Sequence, residues 1–272
     1  MDFGRRIRNL ITKSISEMPS GMIGVPISNG VDSNSILCSA VEAGRSVIGL
    51  SFSLYGKISK DSYAGRHNCN ALGIDHHLID LPIDAQTILS DVRLLISEYG
   101  LSGKADIECS WPFLYLTETA SRAGCKFLAT GMGADGSFGL SKKVMIHYRD
   151  KKSDFDSYRR DYFSRERWPQ TDAINKMCKN KGMVGVFEPY KNREVIDLFL
   201  EKGWYELNTP RQKNPVREAY KKEFKSLKIG STHVNLQLGD SGISDAFKSL
   251  LPLVPGSKSS VSVFNAIRKG TI

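Results

Sequence analysis

Apolar positions in the first half of the chain follow two alternating periods. Ile7, Leu10, Ile11 and Ile15 share one face of a helix predicted over residues 7–17. The unbroken apolar run MIGVPI at 22–27 predicts a buried strand, and a polar turn, Ser28-Asn29-Gly30-Val31-Asp32-Ser33, follows it. A helix is predicted over 34–43, ended by Gly44. The alternation then repeats. Strands are predicted at 47–52, 76–79 and 126–130, and helices at 60–72 and 111–123, ended by Gly73 and Gly124. Ile88, Val92, Leu95, Ile96 and Tyr99 add a helical stripe between the third and fourth strands. Strands that alternate with helices imply a parallel sheet covered on both faces.

Past residue 140 the pattern changes. Residues 141–172 are basic, polar and weakly periodic, which predicts a substrate loop or a surface excursion. Helical patterns return at 172–180, 192–202 and 213–226, and 252–262 is predicted to be a loop. The expected organisation is one domain over 1–272, with an α/β core at 1–140 and a mainly helical part at 141–272. No internal repeat or low-complexity tract interrupts it.

Composition refines this picture. With 40% hydrophobic and 25% charged residues, the chain has ordinary globular usage. No apolar run approaches the roughly 18 residues of a membrane helix, and Met1 to Arg6 lacks the apolar stretch of a signal peptide. The expectation is a soluble cytoplasmic protein. Five widely spaced cysteines (Cys38, Cys69, Cys109, Cys125 and Cys178) without a CxxC pair predict free thiols rather than a disulfide framework or a zinc knuckle. His76 and His77 are adjacent on a predicted strand and point to opposite faces, which argues against a shared metal. The net charge is +9, with basic clusters at Arg5-Arg6-Arg8, Lys142-Lys143, Arg149 to Lys152, Arg159-Arg160, Arg165 to Arg167 and Lys221-Lys222. A polyanion or nucleic acid is therefore a candidate partner.

Two loops carry candidate chemistry. The turn at 28–33 links a buried strand to a helix, where backbone N–H groups favour an anion. Gly30 admits close approach of a phosphate, and Ser28 and Ser33 add hydroxyl donors. Asp32 makes sense among phosphates when a cation lies between them, and Mg²⁺ takes carboxylate together with phosphate oxygens. The Gly-Lys-Ser/Thr of a Walker A loop is absent. The second loop, Thr130-Gly131-Met132-Gly133-Ala134-Asp135-Gly136, also follows a predicted strand. Its glycines match GxGxxG, but residues 137–152 supply no convincing helix for a dinucleotide fold. Both loops leave the carboxyl ends of strands, so Asp32 and Asp135 are placed to face one metal.

At this point the sequence resembles the synthetase domain of the asparagine synthetase family, which are N-type (PP-loop) ATP pyrophosphatases. The family loop S-G-G-x-D-S stands here as Ser28 to Ser33, with Asn29 at the second position. The signature S-G-E-G-x-D-E-x-F-G-G stands as Thr130 to Leu140. Asp61 to Ala64 through Leu72 to His77 resembles D-E-x-x-A…L-G-x-x-H-H, and Pro112 keeps the family's spacing to Thr130. Glu188 to Asn192 resembles V-P-F-L-D, and Lys213 to Ala219 resembles K-x-x-L-R-E-A. The resemblance spans about residues 5 to 245.

It implies a doubly wound, adenine nucleotide alpha hydrolase-like α/β fold with a helical C-terminal part. ATP would be a ligand, with Ser28, Asn29, Gly30 and Ser33 at the pyrophosphate. Asp32 and Asp135 would be catalytic through Mg²⁺. Ile27 and Ser51 would flank the adenine, and Gly131 and Met132 would line the site. The family adenylates a carboxylate, and an amine then displaces AMP. Where asparagine synthetases carry Glu, this chain has Met132, which is neither acid nor base. The Asp after P-F-L is Asn192, the Glu four residues before that proline is Gly185, and the late catalytic Lys falls near Asn235, with Lys228 as the alternative.

The 27 residues before Ser28 are too few for the family's glutaminase domain, so the expectation is that nitrogen comes from ammonia, another amine or a separate glutaminase. Three function classes follow. The first is an AMP-forming ligase that passes a carboxylate or acyl group to ammonia or an amine. The second is an enzyme modifying nucleic acid or a nucleobase precursor, with Cys109 as a candidate sulfur carrier. The third is a nucleotide-binding protein that has lost catalysis.

Overall fold

The structure, a computed structural model, describes residues 2–54, 56–231, 236 and 241–272. Five strands form one parallel sheet in the order β3-β2-β1-β4-β5: β1 (Met22–Pro26), β2 (Val47–Leu54), β3 (Asp75–Leu81), β4 (Cys125–Ala129) and β5 (Gly185–Phe187). Helices α1 (Phe3–Ser16), α2 (Val31–Glu42), α3 (Lys60–Ala71), α4 (Ala85–Ser97) and α5 (Lys104–Arg122) alternate with the first four strands. The remainder comprises α6 (Ala134–Phe138), α7 (Lys142–His147), α8 (Lys152–Phe163), α9 (Pro169–Asn180), α10 (Arg193–Leu200), α11 (Trp204–Asn208), α12 (Asn214–Ala219), α13 (Lys221–Phe224), α14 (Ile243–Lys248) and α15 (Ser260–Arg268).

Because strand side chains alternate, the sheet feeds two cores. Ile23, Val25, Phe127 and Ala129 face α1, α2 and α10 in one. Ile48, Leu50 and Leu128 face α4, α5, α9, α14 and α15 in the other. The chain runs from β1 outward through β2 to β3, then returns to place β4 on the opposite side of β1. The gap between β1 and β4 is the topological switch point, where the connections diverge and open a crevice at the carboxyl ends of the strands. The loop after β1 and the loop after β4 both leave at this crevice. A shallow hollow around Met18, Gly21, Met22, Arg45 and Ser46 lies at the opposite, amino end of β1 and β2.

The doubly wound sheet agrees with the sequence reading. Other expectations are corrected. Residues 141–172 are neither a loop nor an excursion: α7, α8 and the start of α9 occupy them. Buried Phe155 and Arg159, one turn apart on α8, anchor that helix. The Arg159 guanidinium donates to the carbonyls of Phe199 (2.6 Å) and Lys202 (2.8 Å) at the end of α10 and pairs with Asp156. The 213–226 helix is broken at Tyr220 between α12 and α13, and the predicted 252–262 loop contains the first turn of α15. Three-residue β5 was not anticipated. Asn235 and most of its surrounding stretch lie outside the described residues.

Candidate active site at the switch point

The loop after β1 is held from below. Buried Asn34, in the first turn of α2, donates to the carbonyls of Ser28 (2.9 Å) and Gly30 (2.7 Å), and its own oxygen accepts from Asn68 on α3 (2.8 Å). Ser28 and Ser33 share a hydrogen bond of 3.1 Å across the loop, and the Gly30 N–H donates to the Ser28 hydroxyl (3.0 Å). Two buried tyrosines fix the helix behind it: Tyr190 bonds Ser35 at 2.8 Å and Tyr220 bonds Ser39 at 2.6 Å. Burial pushes both phenols above their ordinary pKa, so they act as hydrogen-bonding struts. The opening turn of α2 thus offers N–H groups and two hydroxyls from a braced frame.

The second loop presses directly onto the first. A side chain at Gly131 would place its Cβ 2.7 Å from the Cβ of Asp32 and 3.2 Å from the Ser33 nitrogen, so only glycine permits the contact. Asp32 and Asp135 each occupy the second position of a helix, α2 and α6. Their carboxylates converge on one cationic group, the Lys213 ammonium, which bonds Asp32 Oδ2 and lies 2.7 Å from Asp135 Oδ1. Lys213 is buried and has φ of +61°, a left-handed conformation unusual for a residue with a Cβ. Asn208 holds it by accepting from its backbone N–H (3.2 Å). Burial pulls the ammonium's pKa down, but the two carboxylates outweigh that and the net direction is up. Lys213 is the central residue that motif reading left without a role.

The other expected residues surround these two loops. Ile27 and Ser51 are buried, and the Ser51 hydroxyl donates to the Ile27 carbonyl (2.8 Å), so their side chains brace the loop from behind. Asn29 donates its N–H to Asp61 (2.9 Å) and accepts from the Gly230 N–H (2.7 Å), which anchors the loop to α3 and to the segment following Lys228. Met132 is partly buried against the core. Asn192 caps α10 by accepting from the Glu194 N–H (2.9 Å), a structural role that an asparagine fills well. Among the described residues no cluster of three or more His, Cys, Asp or Glu side chains that could hold a metal occurs; Asp32 and Asp135 meet as a pair at the Lys213 ammonium.

Beside the second loop lies a buried ion pair where the resembled motif has apolar residues. Glu188, at the end of β5, is 2.8 Å from Lys191 and accepts from Thr171 (3.0 Å). The Lys191 ammonium lies 4.0 Å from the Trp168 ring centroid, with its stem against Gly133. Burial raises the Glu188 pKa and lowers that of Lys191. His76 and His77 alternate in exposure on β3, and burial with Arg66 nearby lowers His76 to about 4. All five cysteines are free. Burial, with Glu108 and Asp106 close, pushes the Cys109 thiol up to about 12, which disfavours the thiolate a sulfur carrier needs.

The chain is similar to several known proteins. The family profile described as Asparagine synthase matches residues 6–227. The 7-cyano-7-deazaguanine synthase of Marinomonas sp. (strain MWYL1) is 32% identical over 83 residues, 30% of this chain and 34% of that protein. The chain therefore spans about a third of the length of the curated relative it matches. The U34-tRNA thiolase NcsA from Methanococcus maripaludis aligns over 98% of this chain and 79% of its own, with 15% identity and a TM-score of 0.44. A predicted subunit of tRNA methyltransferase from Methanocaldococcus jannaschii aligns over 78% and 93%, with 14% identity and a TM-score of 0.35. Those two superpositions are too loose to inform the site. No helix among the described residues is long and apolar enough to cross a membrane. With the family profile matched over most of its length and both loops meeting at the switch point, the chain belongs to the asparagine synthase family of ATP-using PP-loop proteins.

Proposed function

We propose that the protein cleaves ATP between its α- and β-phosphates, transferring AMP to an oxygen of its substrate and releasing pyrophosphate. A nitrogen nucleophile, ammonia or an amine, then displaces AMP. The observation that carries this reading is the convergence of Asp32 and Asp135 on one ammonium beside the Ser28–Ser33 hydroxyl pair. Two carboxylates completed by phosphate oxygens form the donor set that Mg²⁺ takes, so the residues fit that ion. Bound there by Asp32 and Asp135, it would supply neutralisation of the charge on the leaving pyrophosphate.

The chain's own groups do the rest. Ser28, Ser33 and the first N–H groups of α2 bind the β- and γ-phosphates, with the helix N-terminus contributing positive potential. The Lys213 ammonium, which bonds both carboxylates while no ion is held there, adds positive charge where pyrophosphate charge develops. Gly131 holds the two loops in contact, so the groups that meet the leaving phosphates are preorganised. Met132, Asn192 and Gly185, with Glu188–Lys191 in place of apolar residues, give an acceptor side unlike that of an asparagine-forming enzyme.

Incubation of Mg-ATP with pooled carboxylates, amines and RNA tests the reading. AMP is the expected product, its formation lost by at least a hundredfold in Asp32→Asn. Formation of ADP, or AMP formation unaffected by that change, overturns it.

A further inference from the structure

We infer that α7 and α8 form a stacking platform for a single-stranded polynucleotide that carries the acceptor into the switch-point crevice. This names the substrate class for the activation chemistry above and rests on that reading. Tyr148, Tyr158 and Tyr162 form a ladder. Their successive ring centroids are 5.4 and 6.1 Å apart, with interplanar angles of 26° and 24°. All three rings are half-buried and line an open groove of about 330 Å³. Cations sit at both ends, with Lys143 5.7 Å from the Tyr148 centroid and Arg165 4.8 Å from that of Tyr162. Both are exposed, and a base stacking on either end ring would shift them toward its phosphate.

The ladder begins at the site. A side chain at Gly136, next to Asp135, would place its Cβ 2.1 Å from the Tyr162 ring, so that ring lies flush against the second loop. Tyr162 also meets Trp168 edge-on at 4.9 Å, and Trp168 carries the Lys191 ammonium beside Gly133. A strand held on the ladder is therefore led to the loop that carries Asp135.

Charge and ring geometry select the occupant. Residues 141–168 hold nine Lys and Arg against five Asp and Glu, a net +4 out of the chain's +9 in about a tenth of its length. Asp154 and Asp161 line the groove as well, and Asp154 is 3.5 Å from Lys151. A purely electrostatic site for a bare polyanion would not place carboxylates there. Ring faces flanked by cations suit a ligand with planar bases joined by phosphates, and only unpaired bases present their faces.

The test is fluorescence anisotropy of a labelled single-stranded oligoribonucleotide and its duplex across a KCl series. Tyr148→Leu and Tyr158→Leu keep apolar volume and lose the ring, and each should weaken single-strand binding about tenfold. The Tyr→Phe changes should bind like wild type. Lys143→Ala with Arg165→Ala should reduce the salt slope by about 1.4, as expected for two phosphate contacts on a single strand. Asp32→Asn should bind the oligonucleotide normally. Equal affinity for the duplex, equal competition by a mononucleotide, or unchanged binding in folded Leu variants overturns the platform. AMP formation without oligonucleotide binding sinks the platform alone. Ring-dependent binding without AMP formation sinks the activation reading alone.

Discussion

Replacing Lys213 with methionine keeps the aliphatic stem and removes the ammonium between Asp32 and Asp135. Removing one partner of a buried ion pair costs about 3–5 kcal/mol, because the remaining charge is left in a poorly solvated place. Here Asp32 is 18% exposed and Asp135 50%, so water screens much of the second carboxylate and the lower end, about 3 kcal/mol, applies. At roughly 2–4 °C per kcal/mol for a chain of this size, Tm should fall by about 6–12 °C in metal-free buffer. The variant should also gain a magnesium response. Two carboxylates without an ammonium between them make a stronger divalent site, and Mg²⁺ at a hundred times its Kd returns about 2.7 kcal/mol. Differential scanning fluorimetry with EDTA and with Mg²⁺ measures both effects. A loss of under about 2 °C, or a loss identical with and without Mg²⁺, would refute the argument that these carboxylates form one cation site.

Three further outcomes follow from the same physics. Arg159→Met strands one buried and one partly buried carbonyl and breaks the pair with Asp156, so urea denaturation should show a loss of about 3 kcal/mol. Converting Glu188 and Lys191 together to Val and Leu should leave stability unchanged or raise it by about 1–4 kcal/mol, whereas Glu188→Gln alone should lower it; urea midpoints for the three proteins decide this. His76 is lowered to about 4, so the folded state resists its protonation. Its contribution to stability is full above pH 6.5 and is lost as pH falls toward 4, and His76→Phe should flatten the denaturation midpoint against pH over that window relative to wild type.

Much of the fold was legible because the signals were local. Buried strands β1, β2 and β4 are short apolar runs, and glycines mark the ends of α2, α3 and α5. The two loops were legible as motifs at strand ends. What escaped depends on contacts distant in sequence. Lys213 reaches Asp32 across 181 positions from a backbone conformation that no propensity favours. The α8 helix has a polar, aromatic composition with little periodicity, and it is held by Arg159 reaching the end of α10. Strand β5 pairs three residues with β4 and has no room to show alternation. Ile27 and Ser51 meet each other and α3 across 24 positions, a contact between β1, β2 and α3 that no local pattern shows.

The central claim is adenylation at the switch point, and exchange of labelled pyrophosphate into ATP tests it most directly, because exchange requires a reversible step that forms AMP bound to substrate. Wild-type protein with Mg²⁺ and a pool containing RNA, carboxylates and amines should catalyse exchange, and Asp32→Asn and Asp135→Asn should abolish it. ATP consumption that yields ADP and phosphate with no exchange would contradict the account, since it would place the attack at the γ-phosphate and leave the paired loops without the role given to them here.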